Sequence, residues 1–189
     1  MFKKVVVLLA DGFEEVETVT PITFLRRAGI EVVVASIGEG VTAKGARGVQ
    51  MIADNTLAEL AGESDWDAVV VPGGLQGAQN IASCEKAGVL LKEMAAAGKL
   101  VCAICASPAL VLAPLGILTG KKFTCYPGME EKIKENGWPC GELSLCDTVA
   151  DENIITSRAA GTSGDFAITI IEKLLNEETA KKIAASVLL

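Results

Sequence analysis

The 189-residue sequence contains no histidine. Imidazole is the usual general base beside a nucleophilic serine or cysteine, and it is the commonest metal ligand in proteins. Its absence excludes Ser-His and Cys-His nucleophile pairs and the usual imidazole zinc sites. Nucleophilic chemistry in this chain therefore has to use other side chains.

Basic residues are also scarce, because 17 Lys and Arg stand against 24 Asp and Glu, which gives a net charge of −7. Nucleic acids and anionic membranes attract clustered Lys and Arg. We therefore expect neither nucleic acid nor membrane among the partners of this protein.

Long apolar runs are missing as well, and none approaches the ~18 residues that a membrane-spanning helix needs. The apolar start of the chain is followed by acidic residues, where a signal peptide would have small ones. We expect one domain over residues 1–189, a cytoplasmic location, and six cysteines that are mostly free thiols.

Strand-like and helix-like segments alternate along the chain. Buried strands are predicted at 3–9, 31–37, 48–55, 66–74 and 100–104, with further strands at 121–126 and near 143–149 and 153–157. Helices are predicted at 14–29, 107–118 and 129–137 and from about Thr162 to the end, and the segment 76–98 is predicted to form one or two helices. Pro21 is expected to kink the first helix or to start a second segment. This order predicts an α/β fold, with a mainly parallel sheet between two layers of helices.

Ligands of such folds bind at the carboxyl ends of the strands. Three loops follow predicted strands there: ADGFEE after the first, PGGLQG after AVVV, and CASP after LVCAI. We expect the functional site where these three loops meet.

Two motifs resemble known sites without meeting their requirements. GEGVTA at 38–43 matches a dinucleotide-binding pattern, but no helical periodicity follows it, so no cofactor site is predicted. Cys102 and Cys105 are three residues apart, yet a zinc site needs a second ligand pair and a thioredoxin-like pair needs both thiols at a helix start. Cys102 lies inside a predicted strand, which favours a buried core thiol.

Cys105 lies at the turn between a buried strand and a helix, among small residues. A strained strand–turn–helix turn is where nucleophiles are often placed, and the amides of the following helix would lower the pKa of a thiol. A reactive thiol and a second core cysteine both remain open for this position.

Carboxylates are available in the first loop region. Glu14 and Glu15 are expected to cap the helix and face water, whereas Glu17, one turn further, is placed to turn inward beside Cys105. Partial burial would raise the pKa of Glu17, and its carboxyl could donate a hydrogen bond to sulfur or move protons. The glycines at 73 and 74 could place a backbone N–H opposite the cysteine.

Four segments in order, LLADGFEEVETVTP, DAVVVPGGLQGAQN, VCAICASPALVLA and IITSRAAGTSGDFA, resemble the ThiJ/PfpI superfamily, in the branch of the human parkinsonism-linked protein deglycase. The resemblance implies a flavodoxin-like three-layer sandwich of the class I glutamine amidotransferase type, and a homodimer. It also implies that Cys105 is the reactive cysteine, that Glu17 bonds to it, and that Gly74 and Ala106 supply amide donors.

The resemblance implies further contacts near the pocket or the dimer interface. Arg47 matches an arginine that approaches the partner's site, and Ser157 and Arg158 match a segment near the pocket, although surface pairing is an equal alternative for both arginines. Tyr126 occupies a position where some members carry histidine. Ala106 stands where the peptidase branch has histidine, which disfavours proteolysis. The related glutaminases also require a histidine, so the lack of one disfavours glutamine hydrolysis.

The sequence thus predicts a glyoxalase-type or deglycase enzyme that acts on methylglyoxal-like dicarbonyls or their adducts, without cofactor or metal. Cys105 would attack the carbonyl carbon and Glu17 would move protons. The alternative is a thiol redox sensor or stress-protective chaperone, in which Cys105 is oxidised to sulfinate.

Overall fold

The computed structural model describes residues 3–63 and 65–189. Its strands are β1 Lys4–Leu9, β2 Glu31–Ser36, β3 Thr42–Lys44, β4 Gln50–Ile52, β5 Asn55–Thr56, β6 Ala68–Val71, β7 Leu100–Ile104, β8 Thr148–Asp151 and β9 Ile154–Ser157. Its α-helices are α1 Glu15–Arg27, α2 Leu75–Ser83, α3 Glu85–Ala96, α4 Met129–Asn136, α5 Ser163–Leu174 and α6 Glu177–Ser186. A π-helical turn spans Pro108–Leu112 and a 3₁₀ turn spans Ala160–Thr162.

Seven strands form one sheet in the order β5-β2-β1-β6-β7-β9-β8. Neighbouring strands are parallel except β8 and β9, which are antiparallel. In the centre, Val6 of β1 lies beside Val33 of β2 and Val69 of β6. Strands β3 and β4 form a separate antiparallel hairpin.

Helices cover both faces of this sheet. Along β1, Val5, Val7 and Leu9 pack with buried residues of α1, α5 and α6, while Val6 and Leu8 pack with those of α2, α3 and the π-helical turn. Side chains alternate between the faces of a strand, so a run of apolar residues fills both layers. The predicted α/β sandwich, flavodoxin-like with a mainly parallel sheet, is confirmed. No helix within residues 3–63 and 65–189 has the length and apolarity needed to cross a membrane.

The prediction that Pro21 starts a second segment is wrong, because α1 runs through it from Glu15 to Arg27. Proline has no N–H, so Pro21 cannot donate a backbone hydrogen bond within the helix. Pro21, Ile22 and Leu25 are all buried against the sheet, and this packing keeps the helix in one piece.

The predicted strand at 48–55 is two short strands, and β3 before it was not predicted. The chain leaves the hairpin at Ala53, whose N–H donates to Val41 O, and turns at Asp54. The Asp54 carboxylate accepts the Val34 N–H at 2.8 Å, which directs the following β5 to the edge of β2.

Three further predictions need correction. The helix predicted at 107–118 ends as a π-helical turn at Leu112, since Pro114 cannot donate to the preceding turn. The segment 121–126 forms only an isolated bridge between Phe123 and Leu143, and the next strand begins at Thr148. The closing helix is divided into α5 and α6 by Asn176, whose side chain caps α6 by accepting the Thr179 N–H.

Candidate active site

The turn after β7 has the strained geometry that the sequence predicts. β7 ends at Ile104, and Cys105 has φ of 66°, a left-handed conformation that costs a non-glycine residue about 1–3 kcal/mol. The Cys105 N–H donates to Ser157 O at 2.9 Å, and its carbonyl accepts the Tyr126 N–H at 2.8 Å. These two bonds fix the main chain of Cys105 to separate segments of the protein.

The turn after β6 lies directly against Cys105. The fully buried Ser107 hydroxyl donates to Pro72 O at 2.5 Å, which joins the two turns. A Cβ atom on Gly73 would lie 2.5 Å from Cys105 Cβ and would also collide with the Glu17 carboxyl. Because glycine has no side chain, the side chains of Cys105 and Glu17 can both lie against position 73 and reach each other.

Glu17 reaches the site from the first turn of α1. Glu14 caps this helix, since its Oε2 accepts the Glu17 N–H at 2.7 Å, and the Glu14 N–H donates to Gly73 O at 3.0 Å. The Glu17 side chain is 1% exposed and interacts with the Cys105 thiol and with the backbone amides of Gly73 and Ala160. Among the residues that the structure describes, Glu17 Oε2 has no hydrogen-bond partner within the distance and angle of a regular bond.

Burial raises the pKa of Glu17 to about 7, as the sequence predicts. Burial and the neighbouring Glu17 carboxyl raise the pKa of Cys105 to about 12, while the amides of Gly74 and Ala106 act in the opposite direction. The expectation that these amides lower the thiol pKa overall is therefore wrong, because the sequence does not show how deeply the pair is buried.

The two groups titrate as one pair. The pair loses its first proton near pH 7 and retains its second to about pH 12. Between these values it carries one negative charge and one proton, which can move between the Glu17 carboxyl and the Cys105 sulfur. Such a pair can present a nucleophilic sulfur and accept or return a proton near neutral pH.

A cavity of about 630 Å³ opens above the pair. Of the residues predicted for the site, it is lined by Cys105, Glu17, Gly74, Ala106, Arg47 and Tyr126. The other lining residues are Gly12, Glu14, Ala46, Leu75, Gln76, Gln79, Met129, Ala159 and Ala160. The loops after β1, β6 and β7 meet here, at the place where the sequence predicts the functional site.

Arg47 is brought to the cavity by Glu15. Glu15 Oε1 accepts the backbone N–H of Arg47 at 2.6 Å and that of Val49 at 3.4 Å, so the β3–β4 turn is attached to the start of α1. The expectation that Glu15 simply faces water is wrong. The structure places Arg47 on the cavity of its own chain.

Ser157 and Arg158 do not line the cavity, but the Ser157 carbonyl accepts the Cys105 N–H, which places this segment near the pocket. Ser157 is fully buried, and its hydroxyl donates to Asp147 O at 2.8 Å and contacts the hydroxyls of Thr148 and Thr162. Arg158 pairs with the Asp147 carboxylate at 3.5 Å. Both residues connect β9 to neighbouring surface segments, and Ser157 supports the site only through its carbonyl.

The other five cysteines do not line the cavity. All six are free thiols, and Cys102 is a fully buried core residue whose pKa is raised by burial, as predicted. Within the part of the chain that the structure describes, no three His, Cys, Asp or Glu side chains are grouped closely enough to hold a metal ion.

Several residues of the site were missed by the sequence reasoning: Ser107, Gly73 as a contact surface, Leu75, Met129 and Ala160. Leu75 and Met129 are each the first residue of a helix that follows a glycine. Leu75 could have been identified from the sequence, because it begins a helix directly after a predicted strand and its glycine loop. Ala160 carries no such signal, because its amide reaches Glu17 only through the tertiary fold.

Comparison with known proteins gives a consistent result. The sequence profile of the DJ-1/PfpI family matches residues 3–173. The chain is 38% identical over 185 residues to protein DJ-1 homolog A of Arabidopsis thaliana, covering 98% of this chain but 46% of that protein, so it spans about half the length of that relative. It is 31% identical over 179 residues to the glutathione-independent glyoxalase DJR-1.2 of Caenorhabditis elegans, covering 94% of this chain and 91% of that protein.

A solved structure extends this likeness to three dimensions. The crystal structure of Drosophila melanogaster DJ-1beta superposes with a TM-score of 0.93 at 38% sequence identity, covering 100% of this chain and 99% of that one. The match of profile, sequence and structure extends over the elements that carry Glu17 and Cys105. The chain therefore belongs to the DJ-1/PfpI family.

Proposed function

We propose that this protein is a cysteine-dependent glyoxalase-type enzyme, which acts on methylglyoxal-like dicarbonyls or on their early adducts with thiols and amines. The single observation that carries the proposal is the buried Glu17 carboxyl beside Cys105, with a pKa of about 7 and an oxygen free to accept a proton. The C. elegans relative is named a glutathione-independent glyoxalase, which agrees with this proposal.

In this proposal the Cys105 sulfur adds to the aldehyde carbon, and the carbonyl oxygen takes the remaining proton of the pair. The product is a hemithioacetal bonded to the enzyme. The amides of Gly74 and Ala106, which are directed at the sulfur, are placed to stabilise the negative charge that develops on that oxygen.

Glu17 then moves one proton between adjacent carbon atoms. As a carboxylate it removes the hydrogen of the former aldehyde carbon as a proton, and the resulting enediol regains a proton at the former ketone carbon. This step converts the hemithioacetal into a thioester of lactate. Water breaks the C–S bond, releases lactate and restores the thiol, so methylglyoxal and water give lactate with no external oxidant or reductant.

The test is the formation of lactate from methylglyoxal by the purified protein. Lactate should be measured rather than methylglyoxal loss, because thiols and arginines consume dicarbonyls without turnover. We expect Cys105→Ala to abolish lactate formation, and Glu17→Gln to reduce it by about 100-fold or more. Cys102→Ala, a core thiol outside the cavity, is the matched control, and equal rates for wild type and Cys105→Ala would refute the proposal.

The thiol redox sensor is the second candidate, since Cys105 is the half-buried thiol at which two amides and a titrating carboxyl meet. Graded peroxide and intact-protein mass separate the two functions. Selective gain of two oxygen atoms at Cys105, in a protein that forms no lactate, would favour the sensor.

We also propose that the chain forms a homodimer through α1 and the β3–β4 hairpin. Four exposed apolar side chains lie there: Val16, Val19, Val49 and Ile52. The bond from the Val49 N–H to Glu15 holds the hairpin against the start of α1. Light scattering of wild type and of Val16→Glu tests this proposal, and an unchanged monomer in both samples would contradict it.

A further inference from the structure

The cavity above Cys105 is large for the smallest substrate of the proposed reaction. Its volume of about 630 Å³ falls within the ~300–1,000 Å³ typical of sites for drug-sized ligands. Methylglyoxal would occupy a small part of it. The rest of the cavity has to be filled by another part of the substrate or by water.

Part of the cavity lining is apolar and exposed. Leu75 and Tyr126 are 57% and 48% exposed, and Met129, which also lines the cavity, is half-buried. We define these three residues as the apolar rim. Exposed apolar side chains grouped at the mouth of a cavity are typical of surfaces that bind an apolar group.

The rim is fixed with respect to the reactive sulfur by the main chain. The Tyr126 N–H donates to Cys105 O at 2.8 Å, and the Met129 N–H donates to Tyr126 O at 2.9 Å. Leu75 follows Gly74, whose amide is directed at the Cys105 sulfur. These backbone bonds therefore fix the main-chain positions from which the rim side chains extend toward the cavity.

The hydrogen-bond donors nearest the sulfur are the amides of Gly74 and Ala106. A bound dicarbonyl would place its oxygen atoms toward these amides, because carbonyl oxygens need hydrogen-bond donors. The substituent on the ketone carbon has no such need and would occupy the rest of the cavity, where the apolar rim offers it a contact surface. An aromatic ring there could pack against Tyr126 and Met129.

We propose that Tyr126, with Leu75 and Met129, selects substrates whose dicarbonyl unit carries an aromatic or bulky apolar substituent. The proposal rests on the glyoxalase-type function above and specifies its substrate class. The corresponding reaction is balanced in the same way, since phenylglyoxal and water give mandelate.

The experiment compares kcat/KM for phenylglyoxal and methylglyoxal. We expect wild type to favour phenylglyoxal, and Tyr126→Ala to lower the phenylglyoxal-to-methylglyoxal ratio by about threefold to tenfold. Tyr126→Phe should keep the ratio, because the ring and not the hydroxyl makes the contact. Leu145→Ala, a 79% exposed residue outside the cavity, is the matched control and should keep both kcat/KM values.

Binding of the two reaction products separates this inference from the proposed function. Calorimetry with mandelate and lactate needs no turnover, and we expect tighter binding of mandelate that is lost in Tyr126→Ala. Turnover of both glyoxals with no Tyr126-dependent preference would overturn the substrate class alone. If neither glyoxal is turned over, the proposed function is wrong. If mandelate and lactate then also bind equally, the apolar rim does not select aromatic substituents either.

Discussion

Glu17 and Cys105 meet across the backbone of Gly73, where a single added methyl group would touch both side chains. Their contact depends on the absence of a side chain at the residue between them. Glu17 is buried and Cys105 is half-buried at this contact, and each group changes the pKa of the other.

Substitution of Gly73 tests this contact directly. In Gly73→Ala the new Cβ would push Glu17 away from Cys105, and we expect lactate formation to fall by about tenfold or more, because misplaced groups lose proton-transfer geometry. The control is Gly88→Ala on α3, whose Cβ would have only an ordinary contact with Leu115 at 3.6 Å. Full activity of a folded Gly73→Ala protein would show that the contact is dispensable.

The reactivity of Cys105 should follow the titration of the pair. Alkylation by iodoacetamide, followed by peptide mass spectrometry, should rise with a midpoint near pH 7 in wild type, where the pair loses its first proton. In Glu17→Gln the proton must leave a buried thiol instead, so the midpoint should move to higher pH. A midpoint that stays in place would show that Glu17 does not take part in the ionisation.

Global stability should decrease between about pH 4.5 and pH 7. The folded pKa of Glu17 is about 7 against an unfolded value of 4.5, so the folded state binds the extra proton in this range and loses that advantage as the pH rises. At about 1.4 kcal/mol for each pH unit, the loss is about 3 kcal/mol. Urea unfolding should show wild type losing stability relative to Glu17→Gln between pH 5 and pH 7.5.

The control for this measurement is Glu39→Gln, at an exposed turn, which should keep the pH dependence of wild type. A constant difference between wild type and Glu17→Gln across this range would contradict the raised pKa.

The turn that carries Arg47 should loosen when Glu15 is removed. In Glu15→Ala the backbone N–H groups of Arg47 and Val49 lose their acceptor, and their hydrogen exchange should accelerate by about 10-fold or more. The exchange rates of individual amides can be read by NMR. Unchanged protection at Arg47 would mean that the hairpin holds this turn without Glu15.

Much of the fold could be predicted because its signals are local. The central strands are uninterrupted apolar runs, and each is followed by a loop rich in small residues, so the sheet and the meeting point of the three loops follow from the sequence. Cys105 could be named as a candidate because it directly follows such a strand. Glu17 could be named because it lies in the first turn of the helix that follows the first strand.

What could not be predicted depends on long-range contacts. The β3–β4 hairpin has strands of three residues, too short for a periodic signal, and it is held by Glu15 from more than 30 residues away. Whether the pKa of the Cys105 thiol is raised or lowered depends on the balance between its burial and its contacts with two backbone amides. The sequence does not show this balance. Arg47 was predicted to approach the site of a partner subunit, and its position on the cavity of its own chain is visible only in the fold.

Two hydrogen bonds hold the main chain of Cys105: the Tyr126 N–H donates to its carbonyl, and its own N–H donates to the Ser157 carbonyl. The peptide units at this residue cannot swing aside to accommodate a bulky adduct. A group on the sulfur therefore extends toward the open mouth of the cavity, and the residues that line this opening limit the size of the group that Cys105 can carry.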